Sequence, residues 1–309
     1  MFSRIADRFF ALSGNLRGSL SIFVAAALFA LMAALLKLAG ETIHVTQILL
    51  IRQIVMTAIV APAIFRHFPG CLRTARLDLQ IIRVFGALVA MLAGFYAVIH
   101  MPLADAMAIG FAKAFFVTIF AIFFLSEVVG VRRWAAVAIG FVGVLLMIRP
   151  GTENFDPVSL LALLGAAGAG FVMVIIRILG RTDAPITTLS YQAILVGIAM
   201  IIPAWIFWKA PNQTEWLLLI GIGVISYFAQ MLNIYAYKWG EASYLAPLDY
   251  TRLLYATLFG FLIFGTFPDA FTWVGALVII AASLYTVRRE HLKGKELVRS
   301  PEGRGFTHN

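Results

Sequence analysis

The residues best placed to do chemistry are a few charged side chains inside long apolar runs. Lys113 lies ten residues into the run Leu103–Leu125, about 15 Å deep at helical rise. Arg252 lies nine residues into the run Ser243–Phe264, and Arg52 is about 10 Å into Val45–Phe65. A cation at such depth in a bilayer is costly unless it faces a wet cavity or a partner. These three are therefore candidates to draw a carboxylate or other anion into a cavity. The bland alternative is an internal salt bridge that joins helices. Asp249 is the carboxylate deep in a run, and it precedes Arg252 by three residues, on the same helical face. It is a candidate for proton coupling, and equally a simple partner for Arg252.

Tyrosine is lopsided, with Tyr96 alone in the first half and eight in the second. Tyr191, Tyr227, Tyr250 and Gln230 are candidates for a pocket that stacks and hydrogen-bonds a ring-bearing or amphiphilic solute. Interhelical hydrogen bonding is the competing reading of each. Catalytic signatures are missing from the sequence: no Gly-x-x-x-x-Gly-Lys, no His-Glu-x-x-His and a single cysteine, Cys71. No catalytic residue, metal site or cofactor is expected, and the chain reads as a non-enzyme.

The elements that hold these residues follow from composition. The chain of 309 residues is 62% hydrophobic and 13% charged. Runs of about 20 apolar residues recur, enough to cross a bilayer as helices, and a spanning backbone must satisfy its own polar groups. The expected spans are 18–38, 45–65, 79–99, 103–125 and 131–148, then 158–179, 187–208, 216–237, 243–264 and 270–287. Of 24 Lys and Arg, seventeen fall in the tails, alternate loops or adjacent span ends, Arg83 among them. Only Arg149 and Lys209 fall opposite. The positive-inside rule then places both termini in the cytoplasm. The net charge of +9 thus reads as membrane orientation, with no nucleic-acid partner. The six tryptophans lie at or near span ends, as interfacial rings do.

Segments about 140 residues apart resemble one another: Leu36–Thr42 and Ile176–Thr182, then Phe95–Ala97 and Ile234–Ala236. At the second offset Lys113 falls on Arg252 and Trp134 on Trp273. Five spans per half would turn the second copy over, an architecture of transporters with a midplane site. The expected fold is an all-α polytopic membrane protein with ten transmembrane helices in two inverted five-helix repeats. Its parts are an N-terminal tail 1–17, a first repeat 18–148, a connector 149–157, a second repeat 158–288 and a tail 289–309. Gly165–Gly170, Gly140, Gly143, Gly221 and Gly223 mark expected close helix contacts.

The end of each half resembles the EamA-type repeat of the drug/metabolite transporter superfamily. The first copy reads Leu125-Ser126-Glu127, then Arg132-Arg133-Trp134 through Gly140 and Gly143 to Arg149-Pro150-Gly151. The second reads Phe264-Gly265-Thr266, then Trp273-Val274-Gly275. The resemblance implies ten helices working by alternating access, with Glu127 as a structural residue at the cytoplasmic end of its span. The expected function is secondary transport, with export as the direction, of a small polar or amphiphilic metabolite such as an amino acid or organic anion. The alternatives are a vitamin- or nucleoside-type importer of the same family and a non-transporting membrane scaffold. The expected partners are a small-molecule metabolite, the lipid bilayer and, as an option, a second copy of the chain. The expected location is the inner membrane.

Overall fold

A computed structural model describes residues 13–66, 72–125, 131–180, 182–183, 185–239 and 245–299. Glu127, Cys71 and Tyr244 lie outside them. The regular elements among these residues are helical throughout: α1 (Gly14–Gly40), α2 (Val45–Arg66), α3 (Leu77–His100), α4 (Leu103–Gly110), α5 (Lys113–Leu125) and α6 (Val131–Ile148). There follow α7 (Val158–Leu179), α8 (Pro185–Ile206), α9 (Gln213–Trp239), a 3₁₀ turn (Ala246–Tyr250), α10 (Thr251–Phe264) and α11 (Ala270–Arg299).

Local chemistry sets the ends. Pro102, Pro157 and Pro185 stand at or just before helix starts, where a missing N–H costs nothing. Gly265 closes α10 at φ 65°, so the N–H groups of Gly265 and Thr266 bond back to the carbonyls of Phe261 and Gly260. That is the left-handed glycine cap, a conformation a side chain would strain.

Seven helical stretches among the described residues are long and apolar enough to cross a membrane: Leu16–Gly40, Val45–Pro62, Leu77–His100, Leu103–Phe124, Val158–Leu179, Thr187–Ile206 and Gln213–Ala236. Ala138–Ile148 in α6 and Ala270–Ala282 in α11 are shorter apolar stretches. The expected ninth span is divided into the 3₁₀ turn and α10, because Pro247 withholds an N–H there.

The two halves pack reciprocally. α1 lies against α9 and α10, while α7 lies against α3 and α5; α2 pairs with α8, and α6 with α11. The α2–α8 pair is antiparallel: Thr46 bonds to Pro203, Gln53 to Gln192, and Thr74 beyond α2 to Asp183 before α8. The α6–α11 pair is antiparallel too. A Cβ on Gly143 would meet Ile279, and one on Gly275 would meet Met147. Small residues allow these approaches. A Cβ on Gly165 would stand 2.8 Å from the backbone of Gly94, and one on Gly168 2.9 Å from Ala90. Backbones this close favour dispersion contact between helices in lipid, where hydrophobic transfer supplies little.

Candidate functional site

Two helix interruptions bring the central charges together. Between α4 and α5 the chain tightens: Phe111 N–H bonds to Ala108 O and Ala112 N–H to Ile109 O. These are i to i+3 bonds, and Lys113 is the first residue of the helix that resumes. The second interruption is the 3₁₀ turn that ends at Tyr250, with Asp249 inside it and Arg252 in the first turn of α10.

Asp249 sits between the two cations. Its Oδ1 accepts from Arg252 Nη2 at 2.8 Å and its Oδ2 from Lys113 Nζ at 3.4 Å. The helix macrodipole explains the assignment. A carboxylate just ahead of α10 faces the positive end of that helix and is favoured there. Lys113 stands at the positive end of α5, where its own helix disfavours a cation, so it depends on Asp249 across the interface. The Arg252 guanidinium also lies 4.3 Å from the ring centroid of Phe29, a cation–π contact. Tyr250 meets Phe111 edge to face at 4.9 Å. The side chains of Lys113, Asp249 and Arg252 keep 30%, 19% and 18% of their surface, so the cluster is not sealed. Its formal charge is +1.

The other expected site residues divide into separate groups. Arg52 is buried and donates to Ser226 Oγ at 2.9 Å and Gln53 Oε1 at 2.8 Å, beside the Phe95 ring. No carboxylate pairs with it among the described residues. Tyr227 and Gln230 share a cleft of about 30 Å³ with Gln53 and Gln192. Tyr191 points elsewhere, its hydroxyl donating to Leu72 O at 3.1 Å. The structure thus joins Lys113, Asp249, Arg252 and Tyr250, and separately Tyr227 with Gln230.

Arg83 was missed by the charge sort, which put it at a span end. α3 begins at Leu77, so Arg83 is nearly two turns inside, with 1% of its surface exposed. It donates to Thr188 O at 3.0 Å and to Gln192 Oε1. The available signal was its setting, Ile81-Ile82-Arg83-Val84-Phe85, which leaves it flanked by apolar residues. Lys37, in the last turn of α1, donates to the carbonyls of Ile99 and Met101, at the end of α3.

Two clasps close the α2–α8 pair at its opposite ends. At one, Asp183 accepts from Thr74 Oγ1, from Ala75 N–H at 3.2 Å and from Gln80 Nε2 at 2.8 Å. Burial pushes the Asp183 carboxyl up, but these hydrogen bonds outweigh it and hold it below the usual carboxylate range. At the other, Gln47 exchanges hydrogen bonds with the backbone of Lys209, Thr42 donates to Glu215 Oε1 at 2.6 Å, and Lys209 Nζ stands 3.5 Å from Glu215.

The EamA-like transporter family matches residues 16–149 and again 157–288. The chain belongs to this family. A riboflavin transporter of Vibrio cholerae is 31% identical over 226 residues, which is 72% of this chain and 76% of that protein. An S-adenosylmethionine uptake transporter of Rickettsia felis is 27% identical over 254 residues, 82% of this chain and 86% of the relative. A crystal structure at 17% identity superposes with a TM-score of 0.58 over 89% of this chain and 98% of that one, which shows the fold alone. This EamA-family chain is a multi-pass membrane protein, and its two family matches divide it into the two halves that pack reciprocally.

Proposed function

We propose that the chain is a secondary transporter of a ring-bearing polar metabolite of the vitamin or nucleoside type, working in the uptake direction across the inner membrane by alternating access. The carrying observation is the Lys113–Asp249–Arg252 cluster at two helix interruptions, one from each family repeat. Interrupted helices that carry paired charges at a repeat interface are where transporters hold solutes. The antiparallel pairing of α2 with α8 and of α6 with α11 supports ten spans in two inverted repeats, with the Asp183 clasp on the cytoplasmic side.

The substrate class rests on the relatives. Riboflavin and S-adenosylmethionine both join a flat nitrogen heterocycle to a hydroxyl-bearing chain or sugar, and the Rickettsia relative is named for uptake. These names support a ring-bearing solute over a simple amino acid or organic anion, and uptake is the direction printed for the Rickettsia relative. In this mechanism a polar or anionic group of the solute competes with Asp249 for Lys113. Release of Lys113 unlinks α5 from α10 and couples binding to movement of the halves. The test is uptake of radiolabelled riboflavin, adenosine and S-adenosylmethionine into cells expressing wild type or Lys113→Gln at matched levels. Uptake of at least one by wild type and its loss in the variant are expected. Equal uptake by wild-type and empty-vector cells for all three overturns the substrate class.

A further inference from the structure

A second cavity lies away from the central cluster, beside the Lys209 clasp. It measures about 510 Å³ and is lined from both family repeats. That volume lies in the range of small-molecule sites, about 300–1,000 Å³. Two stacked ring pairs line it. His44 of the α1–α2 loop stacks on Phe207 of the α8–α9 loop at 4.2 Å and 23°. Tyr96 and His100, one turn apart on α3, stack at 3.9 Å and 17°. Lys209 and Glu41, of opposite charge, are among its lining residues.

The hydrogen bonds fix part of its chemistry. His100 Nδ1 lies 2.9 Å from Tyr96 O, and a carbonyl only accepts, so Nδ1 carries the proton. When the ring is neutral, that tautomer leaves Nε2 as an acceptor. Lys209 is half exposed, and its ammonium reaches Thr42 O at 3.3 Å besides Glu215. The cavity therefore presents flat π faces, an imidazole acceptor and a cation.

We propose that this cavity is an entry site that receives the flat heteroaromatic ring of the solute before it reaches the central cluster. The ring lies against the Tyr96–His100 and His44–Phe207 faces, and a carbonyl or anionic edge turns to Lys209. Offset stacking suits such faces, and a ring that fills the cavity touches the loops joined by the clasp. The Lys209 ammonium has three donors and turns two of them to the clasp, so its third can meet a solute edge while the clasp holds. This inference rests on the ring-bearing substrate proposed above.

The test is binding of riboflavin, followed by quenching of its own fluorescence, to full-length protein in nanodiscs. Wild type is compared with Tyr96→Leu, Phe207→Leu, His100→Ala, His100→Phe and Lys113→Gln, each checked for a single folded peak. Adenosine is used as a competitor. The leucine variants and His100→Ala should weaken binding about tenfold, the value of one lost aromatic partner. His100→Phe keeps the stacking face and should recover most of it, while Lys113→Gln should still bind. Wild-type binding that the ring variants leave unchanged overturns the entry site and spares the substrate class. If wild type binds neither compound, the substrate class falls and the entry site with it.

Discussion

Replacing Asp249 with Asn removes the carboxylate between Lys113 and Arg252 and leaves two facing cations. Removing one partner of a fully buried ion pair costs about 3–5 kcal/mol, because the other charge stays desolvated. Here the three side chains keep 18–30% of their surface, which lets water share part of that penalty. We expect about 2–3 kcal/mol, roughly a 30- to 150-fold fall in the folded-to-unfolded ratio. Lys113→Gln should cost far less, about 1 kcal/mol at most, since Asp249 keeps its shorter bond to Arg252. Asp249→Asn combined with Arg252→Gln returns the cluster to a single cation and should recover at least about 1.5 kcal/mol relative to additive losses. The assay is thermal and denaturant unfolding of purified protein in one detergent, with uptake measured on the same membranes. Losses in the double variant that add to within about 0.5 kcal/mol would mean that the pair is not coupled, and the argument from depth and geometry would fail.

Three further outcomes are expected. Asp183→Asn should lower stability above about pH 4, where the native carboxylate is ionised and accepts its hydrogen bonds. Because its folded pKa lies below the unfolded value, the gap from wild type should close as pH falls through that depressed value, read from melting midpoints against pH. Gly221→Ala and Gly223→Ala should differ in sign in the same melting assay. The new methyl at 221 has its nearest neighbour at 3.9 Å and gains about 0.5–1 kcal/mol from lost unfolded-state freedom, whereas at 223 it meets Val55 at 2.6 Å and costs about 1–3 kcal/mol. Reporter fusions at Asn309 and in the Asn154 loop should give opposite signals, cytoplasmic at Asn309; a shared signal refutes the ten-span topology.

The sequence shows most of the helices because apolar runs are local. Val131–Ile148 matches α6 end for end, and Val158–Leu179 matches α7. The interruption at Phe111–Ala112 is marked in the sequence by Gly110 alone, and a single glycine inside an apolar run does not by itself stop a helix. The Asp249–Arg252 pair could be read from a three-residue spacing. The Lys113–Asp249 contact could not, because it joins residues 136 apart and depends on how the halves meet. Helical phase explains the tyrosines. Tyr191 and Gln192 are neighbours in sequence, yet one reaches Leu72 and the other lines the cleft with Tyr227. Arg83 was misplaced because a two-residue error in where α3 starts moves a charge from the edge into the packed interior.

The two clasps on the α2–α8 pair differ in how they meet dissolved ions. The Lys209–Glu215 contact is ionic, and the Lys209 side chain is 55% exposed. The Asp183 clasp is made by neutral donors around a buried carboxylate. Salt screens exposed charges over a Debye length of about 8 Å at physiological strength, and it leaves buried hydrogen bonds to neutral groups largely untouched. Ionic strength in the surrounding medium therefore weighs more on the Lys209 clasp than on the Asp183 clasp. A more saline bath loosens the Lys209 contact while the Asp183 contacts hold, so the solvent itself biases which end of the α2–α8 pair is held more firmly.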